Sequence, residues 1–214
     1  MAAPKGGTRE RILDAAEYLF ATKGYDGAST RDIVAQTGDT IGSVNYHFGS
    51  KQALLTDVVA RRWHVVTERR RVGYDAAVAR SEGKPSIEDV VAAIVLPYLE
   101  IALKGGKDWR NYMMLQARLF FSPGDYDGAL RELSEPVARE LIGWMRAAIP
   151  EASPADLGYA FQFMIGLTVE SAGEVGIDRI NRITDGACSS KDFDAIGDRL
   201  VRFISSGIRS ICER

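Results

Sequence analysis

The chain has 214 residues, of which 46% are hydrophobic and 26% charged, with a formal net charge of −2. This length and composition fit one large or two modest globular domains. No apolar run reaches the roughly 18 residues of a membrane span, and the first residues lack the apolar stretch of a secretory signal. We therefore expect a cytoplasmic protein that has no membrane partner.

Few residues are suited to metal or redox chemistry. Cys188 and Cys212 lie too far apart for a metal-ligand pair and are too few for a disulfide framework. His47 and His64 complete no zinc spacing with them. We predict two reduced thiols, no metal and no cofactor.

Charge is distributed unevenly along the chain. Residues 1–71 contain eleven Lys and Arg against eight Asp and Glu, a balance of +3, so the remaining residues carry −5. A basic front end with an acidic remainder favours contact with phosphates at one end only.

The first three predicted helices are delimited by capping residues and terminating glycines. A helix is predicted from Thr8 to Lys23, with Gly24 ending it and with Ile12, Ala16, Leu19 and Phe20 on one side. Thr30 is predicted to cap a second helix that Gly38 ends. Thr40 is predicted to cap a third, Ile41 to Phe48, with Val44, His47 and Phe48 inward and Ser43, Asn45 and Tyr46 outward.

Helical periodicity continues through the rest of the chain, and no alternating run indicates a sheet. Ser50 is predicted to cap a long helix that reaches about Arg80. Proline residues 97 and 136 are predicted to bend two later helices. The later helices are predicted at 86–104, 108–121, 125–149, 154–177 and 191–212, giving nine in an all-α fold.

The segment from Gly38 to Leu55 resembles the DNA-binding signature of TetR-type bacterial transcriptional regulators. The stretch from Arg11 to Ala35 is similar to the first helix of that family and its entry into the second. Asp39 departs from the pattern, because the family usually has an apolar residue there. The resemblance covers about the first quarter of the chain and implies a nine-helix, dimeric, ligand-responsive regulator, usually a repressor.

The resemblance also implies a division of labour. Residues 1–50 would form the helix-turn-helix DNA-binding domain, and residues 51–214 the ligand-binding and dimerisation domain. A helical hairpin buried in an all-α protein is the alternative interpretation of the first segment. The residues implied to contact double-stranded operator DNA are Thr30, Arg31, Thr40, Ile41, Ser43, Asn45, Tyr46, His47 and Lys51.

A ligand site is predicted on the helix at 108–121. Asn111, Met114, Leu115 and Arg118 share one face, where a polar pair among flexible apolar groups could orient an amphipathic ligand. Glu170 is a further candidate. The alternative is a core helix whose Arg118 reaches water. The C-terminal half resembles the fatty-acid-responsive, PsrA-like branch of the family, which implies an apolar or acyl effector.

The last two helices carry stripes of small and large apolar residues. The stripes could face the core of the same subunit, but small residues permit close helix approach, which favours a homodimer interface. The predicted interface residues are Phe161, Ile165, Val169, Ala172, Ile196, Leu200, Phe203 and Gly207.

Two other functions compete with the regulator. An all-α enzyme is one, although the chain has no nucleophile elbow, phosphate-binding glycine loop or paired metal-binding aspartates. A constitutive DNA-binding adaptor without an effector is the other.

Arginine residues form two clusters on the predicted fourth helix, at 61–62 and 69–71. We predict that they keep the helix surface solvated and form pairs between helices rather than contact DNA.

Overall fold

The computed structural model describes residues 7–121, 127–172, 180–188 and 192–212. Those residues form helices and no strand, which confirms the all-α prediction. Residues 180–183 form a short helical stretch in addition to nine longer helices. These nine are α1 (Thr8–Gly27), α2 (Thr30–Thr37), α3 (Ile41–Phe48), α4 (Lys51–Arg80), α5 (Ile87–Lys104), α6 (Lys107–Phe121), α7 (Asp127–Ala148), α8 (Pro154–Ser171) and α9 (Phe193–Cys212).

The chain forms two compact units. The first comprises Met1–His64 and Lys107–Ser134, and the second comprises Val65–Gly106 and Glu135–Arg214. Each unit therefore combines two separate stretches of the chain, and α6 belongs with the N-terminal helices. The predicted functional division at residue 50 concerns which helices meet DNA, and it stays a prediction.

The core of the first unit forms around α1. The structure buries Ile12, Ala16, Leu19 and Phe20, the four residues that the sequence places on one side of this helix. Gly24 interrupts the helix with φ 77° and ψ 167°, a conformation that favours glycine, but helical structure resumes and continues to Gly27. The core is completed by Ile33, Val44, Phe48, Leu54, Leu55, Val58, Val59 and, from α6, Leu115.

A buried acidic residue connects α1 to α4. The side chain of Glu17 is only 4% exposed and accepts hydrogen bonds from Arg61 Nη2 at 2.9 Å and Arg62 Nε at 2.8 Å. Arg61 also pairs with Asp14 at 2.7 Å. A buried carboxylate needs such compensation, because desolvation of an unpaired charge is costly.

The second unit is held by apolar packing and by polar contacts between helices. Arg71 donates to both carboxylate oxygens of Glu140 at 2.8 Å, and the rings of Tyr74 and Trp144 stack with centroids 4.3 Å apart. Arg70 Nε donates to the carbonyl of Ile94 at 2.8 Å. The helix-pairing role predicted for the arginine clusters is thus confirmed.

Several further helix ends agree with the ends predicted from the sequence, and one differs clearly. Ser86 and Ser153 cap α5 and α8 as predicted. The eighth helix, α8, ends at Ser171, although the sequence predicted an end near Ile177. Residues 173–179 lie outside the described part of the chain, as do residues 125 and 191, where the sequence predicted that two other helices begin.

Among the described residues, every helix is too short or too polar to cross a membrane.

We predict that Glu17→Ala destabilises the first unit much more than Glu10→Ala. Loss of Glu17 leaves two arginines without their shared buried carboxylate, and such a loss typically costs ~3–5 kcal/mol. Glu10 is half exposed and lies 3.5 Å from Arg61, so its removal should cost less than ~1 kcal/mol. Urea unfolding followed by circular dichroism measures both, and equal midpoints would contradict the prediction.

Candidate nucleic-acid interface

The start of α2 is fixed by a reciprocal cap. The backbone N–H of Asp32 donates to Ser29 Oγ at 3.1 Å, and the Ser29 backbone N–H donates to Asp32 Oδ2 at 2.8 Å. Hydrogen bonds that the Ser29 hydroxyl and the Ser29 backbone N–H donate to the carboxylate lower the pKa of Asp32 to about 2. The sequence-based choice of Thr30 as the cap is wrong, because Thr30 is the first helical residue and the capping box requires an acid three positions after the cap.

A three-residue turn joins α2 to α3. Gly38 ends α2 in the left-handed region at φ 75°, and its N–H donates to the carbonyl of Val34. Asp39 follows and accepts a hydrogen bond from Arg11 of α1 at 2.8 Å. Thr40 then caps α3 as predicted, since its Oγ1 accepts from the backbone N–H of Ser43 at 3.2 Å.

The short helix α3 is anchored by one side only. Val44 and Phe48 are buried in the core of the first unit. Tyr46 is 85% exposed, Ile41 is 41% exposed, and Asn45 is also exposed. His47 is half-buried and makes a T-shaped contact with the Tyr46 ring, so the prediction that it packs inward with Val44 holds only in part. The outer face of α3 is therefore available to a partner.

The beginning of α4 places a cation beside this face. Ser50 caps α4 as predicted, because its Oγ accepts from the backbone N–H of Ala53 at 3.0 Å. Lys51 Nζ lies 4.1 Å from the centroid of the Tyr25 ring. An aromatic face holds a cation without neutralising it, so the ammonium group stays attractive to an anion.

The structure brings most of the predicted DNA-contacting residues to the two short helices and their caps. Residues Arg31, Thr40, Ile41, Asn45 and Tyr46 are exposed, whereas Thr30, Ser43, His47 and Lys51 are partly buried. Tyr25, which holds Lys51, and Arg11, which holds Asp39, were missed by the sequence analysis. The unusual acid at position 39 was the signal that could have directed attention to Arg11.

The predicted ligand residues lie in different places. On α6, Met114 is exposed and Asn111 half-buried, while Leu115 is buried in the core of the first unit. Arg118 donates to the carbonyl of Thr22 at 3.3 Å, near the break in α1. Arg118 of α6 therefore contacts α1, which belongs to the same unit. Glu170 is exposed on α8 and belongs to the second unit.

The predicted interface residues divide into two groups. Val169 and Leu200 are buried, and Phe161, Ala172 and Ile196 pack partly against the core of the second unit. Ile165 is half-buried, while Phe203 is 69% exposed and Gly207 is exposed. Three apolar residues not named from the sequence, Tyr159, Phe163 and Leu167, form an exposed row on α8.

A capped helix, a glycine turn and a second capped helix with an exposed polar face define a helix-turn-helix DNA-binding protein. Residues 12–58 match the family model described as bacterial regulatory proteins, tetR family, and residues 92–207 match the tetracyclin repressor-like C-terminal domain. The chain belongs to the TetR family of bacterial transcriptional regulators, and it is a regulator rather than an enzyme.

Relatives and solved structures agree with this assignment. The repressor AcnR of Corynebacterium glutamicum is 26% identical over 86% of this chain and 94% of its own length. The regulator LmrA of Bacillus subtilis is 33% identical over 36% of this chain and 42% of its own. The Bacillus subtilis regulator FadR, solved with stearoyl-CoA, superposes with a TM-score of 0.66 at 18% identity, covering 92% of this chain and 98% of FadR.

Proposed function

We propose that the protein is a dimeric repressor that acts in the cytoplasm and leaves its operator when a small apolar or amphipathic effector binds. The observation that carries the DNA-binding part is the exposed face of α3, with Tyr46 85% exposed on a helix that Val44 and Phe48 anchor. Similarity to AcnR, a transcriptional repressor, supports repression rather than activation.

The exposed groups differ in what they can offer to DNA. Thr40 Oγ1 caps α3 and lies 3.1 Å from Ser43 Oγ, so both hydroxyls already have a partner. The Asn45 amide is exposed and can make paired hydrogen bonds to a base edge in the major groove, while Ile41 offers an apolar contact. Tyr46, His47 and Lys51, with Thr30 and Arg31 at the start of α2, would contact phosphates.

Dimerisation is supported by an exposed apolar surface on the second unit. Phe163 is 54% and Phe203 69% exposed, and between them lies a groove of about 600 Å³ whose lining includes Gly166, Leu167 and Gly207. Contiguous apolar surface of this kind marks protein interaction sites. A second copy is the occupant we propose, because a two-fold dimer would present one α3 to each of two successive major grooves.

The apolar effector is supported by similarity to regulators with known ligands. FadR of Bacillus subtilis was solved with stearoyl-CoA, and a regulator from Saccharomonospora viridis was solved with choline at a TM-score of 0.54. Stearoyl-CoA joins a long apolar acyl chain to a charged end, whereas choline is a small cation, so only FadR supports an apolar effector. Asn111 and Met114 are the α6 residues we propose for ligand contact, with Arg118 as a polar candidate on the same helix; Leu115 supports α6 from within the core.

We predict that Tyr46→Ala weakens binding to all DNA sequences and that Asn45→Ala changes preference at one or two base pairs by ~1–3 kcal/mol. The operator would be obtained by selection from random duplexes with the wild-type protein, and affinities compared with a scrambled duplex at several salt concentrations. Tyr18→Ala, which removes an exposed tyrosine of α1, is the matched control. Unchanged binding by both α3 variants would exclude this interface.

We predict that Phe163→Glu with Phe203→Glu produces folded monomers. Both side chains are more than half exposed, so the charges harm the subunit little but would be buried unpaired in a dimer. Sedimentation velocity at micromolar concentration measures the change. Val72→Glu, at a residue of α4 that is 61% exposed, should remain dimeric. A monomeric wild-type protein would contradict the proposal.

We predict that a long-chain acyl-CoA releases the selected operator by about 5- to 150-fold, the range of typical coupling between two sites. Asn111→Ala should weaken this release and leave DNA affinity intact. Arg118→Ala should alter DNA affinity itself, because its partner is the Thr22 carbonyl of α1. Anisotropy titrations with acyl-CoAs, free fatty acids and choline test this; no release by any of them would favour a constitutive adaptor.

A further inference from the structure

We propose that the ion pair between Arg11 and Asp39 is a positioning device that fixes the recognition helix α3 against α1. The inference rests on the proposed function, since it concerns how α3 is presented to DNA. It assigns a role to the one residue of the turn that departs from the apolar residue usual in the family.

The pair joins the middle of the helix-turn-helix to a separate helix. Arg11 Nη2 lies 2.8 Å from Asp39 Oδ1, and the two side chains are only 25% and 11% exposed. Arg11 is held in turn by Thr8 Oγ1 at 3.0 Å. Because α1 contributes more buried residues to the core of the first unit than any other helix, the contact attaches the turn to a firmly packed helix.

Asp39 lies between the residue that ends α2 and the residue that caps α3. Gly38 before it ends α2, and Thr40 after it caps α3. The backbone N–H of Asp39 donates to Thr37 Oγ1 at 3.3 Å, so its main chain is also fixed to the last turn of α2. A movement of Asp39 would therefore shift the cap of α3 and, with it, the direction of the exposed face.

The carboxylate depends on Arg11 for its charge compensation. Its second oxygen, Oδ2, is buried, and no donor among the described residues bonds to it. The hydrogen bond from Arg11 is the largest cause that lowers the pKa of Asp39 below its ordinary value, against the opposing effect of burial. Without the guanidinium, a partly desolvated anion would lie two residues before α3, the helix that approaches DNA phosphates. Either the turn must move so that water reaches the Asp39 carboxylate, or repulsion between this carboxylate and the DNA phosphates must weaken DNA binding.

The test compares five full-length proteins: wild type, Arg11→Met, Arg11→Lys, the double variant Arg11→Met with Asp39→Val, and the control Arg139→Met. The control removes an arginine that pairs with Glu135 on the exposed face of α7. The measured quantity is the ratio of affinities for a duplex selected by the wild-type protein and for its scrambled sequence. Melting temperature and sedimentation are recorded for each protein.

Arg11→Met should lower the affinity ratio by about tenfold or more, since it leaves a partly buried carboxylate without its counter-charge. Arg11→Lys, which keeps the charge, and the double variant, which removes the anion together with the cation, should recover most of the wild-type ratio. Such rescue would not follow from loss of stability alone. If Arg11→Met fails to fold, the lysine and double variants still test the idea, because both are expected to fold and to discriminate between the duplexes.

A double variant that melts like the wild type but does not discriminate, or an Arg11→Met protein that discriminates normally, would overturn the inference. Selection of no duplex by the wild-type protein would instead overturn the proposed function and the inference together. The Arg139→Met control distinguishes these results from a general effect of removing an arginine.

Discussion

The first unit depends on one buried carboxylate. Glu17 lies inside the packing of α1 and receives hydrogen bonds from Arg61 and Arg62 of α4, at 2.9 and 2.8 Å. Arg62 also lies over the ring of Trp109 on α6, 5.0 Å from its centroid. Three helices therefore meet at one charged cluster, and a shift of any of them would separate charges that burial makes costly to separate. The short helices that face DNA are packed on this framework.

Helices α2 and α3 have eight residues each, too short to be stable alone. Local caps and a few buried side chains compensate for this. Ser29 and Asp32 cap the start of α2, and Thr40 caps the start of α3. Val44 and Phe48 bury one side of α3. Because so little of α3 is needed for packing, the rest of its surface can carry residues chosen for a partner. The pair of Arg11 and Asp39 adds a fixed direction to that surface.

The second unit shows a different use of helix faces. On α8, Leu157, Ala160 and Met164 face the core, while Tyr159, Phe163 and Leu167 stay exposed. On α9, Leu200 and Ile204 are buried and Phe203 is exposed. Apolar residues on both sides of a helix are unusual for a monomer at its surface and typical of a chain that associates.

The sequence by itself determined the helical class, the bounds of α3 and α4, and the family, because caps, glycine turns and apolar periodicity are local signals. It also located the exposed face of α3. The tertiary structure decided what the spacing of residues leaves undetermined, namely which apolar face of a helix is buried and which distant side chains meet. Periodicity could not tell which apolar row of α8 faces the core, so Val169 was assigned to an interface although it is buried. Nor could it show that Arg118 contacts α1, that Glu17 pairs with Arg61, or that Asp39 is matched by Arg11, because each pair joins residues at least 28 positions apart. Such contacts follow from how helices pack together, which no local pattern encodes.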